Sequence, residues 1–345
     1  MKRALSVAVL GAGNWGTVLS HVIAGNGHSV RLWTRDPAQA EEINRQHRSE
    51  RAQPGLILAP GVRAVLTLCD AVDDVDLVFV AVPSQAFRDV CRALGEHARP
   101  EHVVVHGTKG LEAESHLRMS QVLVQETCVR QYGVLSGPNI AAEVARGKPA
   151  GTVIGTCFPR VAALVRQAIA CPQLRVFESA DVCGVELLGA LKNVIAIAAG
   201  MADQLELGDN AKAFLITRGL SEMMRLVLAL GAEPATTAGL AGIGDLMVTC
   251  ASPLSRNHRV GEALARGVPL KDALAHIGMV TEGVYASHSA RALARQHGIG
   301  MPVFEHIHRV LHEGMPVEAA LAALLELPTG HDLPHFARPR ARGAA

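Results

Sequence analysis

Apolar residues in the first half of the chain gather in short runs at 7–10, 30–33, 77–82, 103–106, 134–136 and 152–155, rich in Val, Leu and Ile. Longer stretches with helical spacing separate them. Strands that alternate with helices pair through crossovers, so the pattern predicts a doubly wound, mainly parallel sheet, an α/β arrangement. After about residue 181 the strand-like runs stop, and Ala- and Leu-rich helical periodicity continues to about residue 325, through 214–230, 258–265 and 303–312. An all-α second domain is expected. The divisions expected are a first domain over 1–185, a helical domain over 186–327 and a loose tail over 328–345, where Pro, Gly, His and Arg follow without periodicity.

The first strand runs into Gly11-Ala12-Gly13-Asn14-Trp15-Gly16. A G-x-G-x-x-G turn that follows a strand and opens a helix is the layout of a dinucleotide-binding, Rossmann-type domain. Gly11 serves the tight turn, Gly13 the approach of a pyrophosphate and Gly16 the close packing of the helix, whose free N–H groups face the phosphates. Ligands of such sheets gather beyond the carboxyl ends of the strands, which draws attention to Thr34-Arg35, Pro83-Ser84, Thr108-Lys109 and Gly137-Pro138-Asn139. The second strand ends in Thr34-Arg35-Asp36-Pro37. Asp36 can hold ribose hydroxyls, or it can be the N-cap of the next helix with proline at the first helical position. Arg35 is then free to meet a 2′-phosphate, which favours NADP over NAD.

Composition narrows the partners. With 345 residues, 49% of them hydrophobic, the chain can bury two cores, and its net charge of +1 offers no electrostatic footprint for nucleic acid or an anionic membrane. Small molecules and other subunits are the expected partners. Seven scattered cysteines without a C-x-x-C pair point to free buried thiols in the cytoplasm. The opening Met1-Lys2-Arg3 and the apolar run after it superficially resemble a secretory signal, but glycines, Asn14 and Trp15 break the run, which reads as the first strand. The apolar segment 187–202 is too short for a membrane span and reads as a buried helix. His306 and His308 are expected on an exposed helix face, and no metal site is expected because no H-E-x-x-H or Cys/His cluster occurs.

The chemistry is sought in the second half. Lys192 and Asn193 are the only polar pair in 187–202, and a lysine there either snorkels to solvent or is retained for work, with a lowered pKa if buried. The glycines of 239–244 lead to Asp245 through a sharp loop, and Ser255 reads as an N-cap presenting Arg256 and Asn257 in the first helical turn. A cation at a helix start opposes the macrodipole, so Arg256 answers either a bound anion or an acidic neighbour such as Asp245. Cys250 reads as a small buried thiol rather than a nucleophile.

These segments, with Lys109-Gly110-Leu111-Glu112, Leu135-Ser136-Gly137-Pro138, Asn210-Ala211-Lys212-Ala213 and Thr281-Glu282-Gly283, resemble the bacterial NAD(P)-dependent glycerol-3-phosphate dehydrogenase family over residues 5 to 325. The resemblance implies reversible reduction of dihydroxyacetone phosphate to sn-glycerol 3-phosphate with NAD(P)H, feeding glycerophospholipid synthesis. It implies Lys192 as acid/base with Asp245 beside it, and substrate contacts at Lys109, Gly137, Asn139, Ser255, Arg256 and Asn257. It also implies cofactor contacts at Gly11, Gly13, Asn14, Trp15, Gly16, Arg35, Lys109, Ala141, Arg256, Val280 and Glu282, and a possible homodimer. Asn14 and Asn139 stand where Ser or Thr is more common in the family, and the tail beyond Leu325 departs from it.

Two other readings share part of this pattern. A β-hydroxyacid or ketopantoate-type reductase would have the same N-terminal turn and a helical lysine, with a carboxylate substrate in place of a phosphate. A non-catalytic NAD(P) sensor would use the fold without needing Lys192 and Asp245.

Overall fold

Eight short segments, six of them overlapping the apolar runs, form strands in the computed structural model, which describes residues 3–278 and 280–326. The strands are β1 (Ser6–Leu10), β2 (Ser29–Trp33), β3 (Val62–Val65), β4 (Leu77–Val80), β5 (Val103–His106), β6 (Gln131–Ser136), β7 (Ala150–Gly155) and β8 (Leu174–Ser179). They make one sheet in the order β3-β2-β1-β4-β5-β6-β7-β8, parallel at every pairing except β6 with β7. The first six strands follow the 3-2-1-4-5-6 order of doubly wound dinucleotide-binding folds. Helices cover both faces of this part, so β4 and β5 are buried at every position, as parallel strands require.

The strands β3 and β8 escape the apolar-run criterion for a physical reason. Each lies at an edge of the sheet and keeps exposed positions, Arg63 in one and Arg175, Phe177 and Glu178 in the other, so charge interrupts both. The fourth strand ends at Val80, and residues 81–82 already belong to the loop beyond it.

Helices make up the rest of the described chain from Val182 onward. The Val182–Gln204 helix is their centre, with 184–202 buried. The expected boundary between residues 185 and 186 falls inside it, since the helix begins at Asp181, whose side chain accepts from Gly184 N. At 23 residues this helix is longer than the apolar segment suggests and matches a membrane span in length and composition, yet 89% of its apolar window is buried inside the protein. Helices Arg256–Ala265 and Glu282–Gln296 pack against it. The approach is backbone to backbone: a Cβ at Gly261 would sit 2.0 Å from Ile197 O.

Two expectations fail on burial. His308 is buried, on the face of helix Pro302–His312 that also carries Phe304, Ile307 and Leu311. Its ring lies 4.6 Å from that of His312 and 5.7 Å from that of His288. All seven cysteines are free, but only Cys91 and Cys250 are buried, while Cys69, Cys128 and Cys157 lie exposed in the connections between strands. Residues 328–345, expected as a tail, are outside the described residues.

Candidate active site

The glycine turn has the geometry that a dinucleotide needs. Gly11 has φ +114°, and a Cβ there would lie 2.7 Å from Ala81 O, so the turn presses β1 against the loop after β4. A Cβ at Gly16 would lie 1.9 Å from Gly11 O, whereas one at Gly13 would meet nothing within 4 Å. The two packing glycines are closed in, and the exposed Gly13 faces open space where a phosphate can approach. The Asn14–Gly25 helix begins beside it with no side chain capping its N–H groups. Those donors suit a pyrophosphate. Trp15 is half-buried with its indole nitrogen against Gly107, just past β5.

Beyond β2, Asp36 is the N-cap of helix Pro37–Gln46, accepting from Ala38 N at 3.0 Å and Gln39 N at 3.4 Å, and it pairs with Arg51 at 3.3 Å. The capping role takes the acid that a ribose would have needed. Arg35 is exposed and has no ion-pair partner among the described residues. Ala141 opens a short helix, Ala141–Ala145, again without a side-chain cap.

Lys192 and Lys109 meet on one carboxylate. Lys192, 4% exposed, donates from Nζ to Asp245 Oδ1 and, at 2.5 Å, to the Thr249 hydroxyl. Lys109, carried just past β5, donates to Asp245 Oδ2 at 2.6 Å and to Gly137 O at 3.2 Å. Thr249 donates onward to Asp245 O at 2.6 Å, so its oxygen remains an acceptor for the amine. Asp245 is delivered by the loop the glycines predicted, a single wide turn over Leu240–Gly244 in which Gly244 N donates to Gly239 O. A side chain at Gly242 would strike Thr237 O at 2.2 Å. Burial, and the cation of Lys109 against the opposing pull of Asp245, push the Lys192 amine down to about 7. The lysine thus neither snorkels nor lacks a partner, and it can exchange a proton near neutrality.

The start of helix Arg256–Ala265 lies close by. Ser255 caps it, accepting from His258 N at 3.3 Å. Arg256 does not answer Asp245. It is exposed and donates to Val280 O at 2.7 Å, leaving further guanidinium N–H groups for an anion. Asn257 is buried and committed: its amide donates to Asn193 Oδ1 at 2.8 Å and accepts from Gly283 N at 2.9 Å. Asn193 and Asn257 therefore lace the Lys192 helix to the two helices beside it. Asn139 is similarly engaged, donating to Gly151 O at 2.8 Å across the β6–β7 pair.

Glu282 reaches the sheet, where its carboxylate accepts from Ser84 N at 3.2 Å and Ser84 Oγ at 2.6 Å. Burial raises its pKa against those hydrogen bonds. Ser84 and Asn193 were noticed in the sequence without being given a role, and Gln85 and Thr249 were given none. Ser84 stands just beyond the carboxyl end of β4 and Asn193 adjoins Lys192, and both positions were signals. Nothing local marks Thr249, which becomes visible only when its helix turns toward Lys192. Among the described residues no group of His, Cys, Asp and Glu could hold a metal ion, and burial pushes the Cys250 thiol up to about 12, against a nucleophilic role.

Lys192 and Lys109 thus meet on Asp245 beside the carboxyl ends of the strands, with the open glycine turn and the helix starts that carry Arg256 and Glu282. Residues 6–161 match the family model described as NAD-dependent glycerol-3-phosphate dehydrogenase N-terminus, and 181–322 match that of its C-terminus. The chain is 46% identical over 328 residues to the glycerol-3-phosphate dehydrogenase [NAD(P)+] of Moorella thermoacetica, covering 95% of this chain and 98% of that protein. It is 44% identical over 319 residues to that of Pseudomonas fluorescens, covering 92% and 90%. The crystal structure of glycerol-3-phosphate dehydrogenase from Coxiella burnetii superposes with a TM-score of 0.90 at 37% identity, covering 94% of this chain and 99% of that one. By these likenesses the chain belongs to the NAD-dependent glycerol-3-phosphate dehydrogenase family.

Proposed function

We propose that this protein reversibly reduces dihydroxyacetone phosphate to sn-glycerol 3-phosphate with NADPH or NADH. One observation carries the reading: a buried lysine with a pKa near neutrality shares a carboxylate with a second lysine, beside an arginine whose N–H groups are not all used. An acid/base and a phosphate site within one pocket suit a phosphorylated ketone better than a hydroxyacid. Bound NAD(P)H supplies the hydride that goes to C2 of the ketone. Lys192 as the ammonium gives its proton to the ketone oxygen, and as the amine takes it back from the hydroxyl in the reverse direction. Asp245 and Thr249 aim the Lys192 amine, and Lys109 with Gly137 and Asn139 lines the side that faces the sheet.

Ser255 and Arg256 would hold the substrate phosphate, the arginine through its guanidinium fork and Asn257 only through its backbone N–H in the same helical turn, its amide being engaged. Gly11, Gly13, Asn14, Trp15 and Gly16 would hold the cofactor pyrophosphate, with Arg35 on a 2′-phosphate and Ala141, Val280, Glu282, Lys109 and Arg256 along the remainder. The free Arg35 and the diverted Asp36 support NADP as the preferred cofactor. We further propose a sheet domain over 1–185 and a helical domain over 186–327 that share the Val182–Gln204 helix across their boundary, a cytoplasmic location, assembly as a homodimer and a product that feeds glycerophospholipid synthesis.

The test is NADPH consumption with dihydroxyacetone phosphate, by the wild type and by Lys192→Met. Turnover by the wild type is expected, with a loss of roughly 10²- to 10⁴-fold in the variant, the range of general acid–base catalysis, and unchanged NADPH binding. Activity on 3-hydroxy acids but none on dihydroxyacetone phosphate overturns the reading, as does a variant with normal kcat.

A further inference from the structure

The segment that carries Lys109 meets a single buried carboxylate, that of Glu186, at both ends, and is hydrogen-bonded to it at the second. At its start, His106 closes β5 and brings Nε2 to 3.1 Å from Glu186 Oε1, an ion-pair contact when the ring is protonated but without hydrogen-bond geometry. At its end, Ser120 donates to Glu186 twice, from N at 2.8 Å and from Oγ at 2.6 Å, and Arg118 donates from Nη1 at 2.7 Å. Between these ends the chain is closed on itself by a bridge between Leu111 and Arg118 and by Glu112 N donating to Leu117 O at 3.0 Å. Glu186 is 5% exposed and lies on the Val182–Gln204 helix, six residues before Lys192, or about 9 Å along the axis at the usual rise per residue. Burial opposes its charge, but His106, Arg118 and Ser120 together hold it below the ordinary carboxylate value, so it stays ionised at working pH. The carboxylate touches neither Lys192 nor Asp245 through any hydrogen bond in the structure.

We propose that Glu186 is a positioning residue: by anchoring Arg118 and Ser120 and meeting His106, it holds the 106–120 segment to the Lys192 helix and so sets Lys109 on Asp245 beside Lys192. The inference rests on the assignment of Lys192 as acid/base. The chain of causes is short. If the segment loosens, Lys109 leaves Asp245 Oδ2, and two things that depend on it change together. Lys192 loses the neighbouring cation that lowers its pKa, and it gains the whole of the Asp245 carboxylate. The amine then holds its proton to higher pH.

The experiment compares the full-length wild type with Glu186→Gln, Ser120→Ala and Lys192→Met, measuring Tm, the KM for NADPH and the pH profile of kcat with dihydroxyacetone phosphate. Glu186→Gln is expected to lower kcat roughly 10- to 100-fold, the scale of a misplacement of about 1 Å, with a smaller rise in the KM for NADPH as Lys109 shifts. Its pH profile is expected to shift upward, and Ser120→Ala to shift it in the same direction by less. A purely structural role would lower Tm and leave the profile in place. If Lys192→Met retains turnover, the acid/base assignment fails and the proposal with it. If Lys192→Met is inactive while the other two variants fold and keep the wild-type profile, the positioning role alone is overturned. Should Glu186→Gln not fold, the Ser120→Ala profile decides: a shift supports the proposal and an unmoved profile ends it.

Discussion

Lys109 and Lys192 sit on the two oxygens of one carboxylate, Asp245 Oδ2 and Oδ1, although 83 residues of chain separate them. Two cations on one anion leave a net positive charge in the pocket, and burial makes the inner one easy to deprotonate.

With Lys192 near 7, the two directions of the reaction acquire opposite pH dependence. Reduction needs the ammonium, so its kcat is expected to fall as pH rises through about 7, and oxidation needs the amine, so its kcat is expected to fall as pH drops through the same value. Steady-state rates in both directions, taken from well below to well above neutrality, check this. Parallel profiles in the two directions would contradict it.

Arg256 and Asn257 are neighbours with different commitments, and their variants should separate. Arg256→Ala removes an exposed cation that donates to the Val280 carbonyl and attracts the Glu282 carboxylate, so it is expected to raise the KM for the phosphorylated substrate with little change in Tm. Asn257→Ala strands Asn193 Oδ1 and the Gly283 N–H in a buried place, a loss of about 1–3 kcal/mol for each unsatisfied group. Urea unfolding and substrate titration of both variants distinguish the two effects. An Asn257→Ala protein of wild-type stability would deny the lacing role.

Arg35→Ala is expected to lower kcat/KM with NADPH by roughly tenfold or more, the scale of a lost hydrogen bond to a charged group, and to leave NADH use nearly unchanged. Asp36→Asn should not alter cofactor choice, since Asp36 caps a helix. Equal losses with both cofactors in Arg35→Ala would remove the arginine from the 2′-phosphate.

His308 links stability to acid. Burial, with His312 and Arg291 nearby, pushes it down from 6.5 to about 4. Between those values the unfolded chain binds a proton that the folded chain refuses, so stability is expected to fall as pH falls through that window. His308→Phe should flatten the acid side of a plot of Tm against pH. An equally steep acid side in this variant would place the effect elsewhere.

Much of the cofactor half was legible in the sequence because its signals are local. Gly11, Gly13 and Gly16 serve one turn of consecutive backbone, and strands buried on both faces have to be nearly all apolar, so β1, β4 and β5 could be read directly. The edge strands β3 and β8 could not, because a strand with one neighbour tolerates charge on its open side. His308 was misplaced for a related reason. A histidine at a helix position reads as polar, and only the packing of Pro302–His312 against Glu282–Gln296 puts it inside.

For the reacting groups the division is sharper. Residue type and spacing were enough to single out Lys192, Asp245, Arg256 and Asn257, and to set Asp36 beside Arg35 as rival partners of a ribose. Which of the two roles each residue takes was decided by contacts between segments far apart in the chain. Asp36 turned to its own helix, Asn257 was spent on Asn193 and Gly283, and Glu186 met both ends of the Lys109 segment. A side chain's local propensity is written in its neighbours in sequence. Its protonation and its free hydrogen bonds depend on burial and on charges within a few ångströms, and those exist only once the chain has folded.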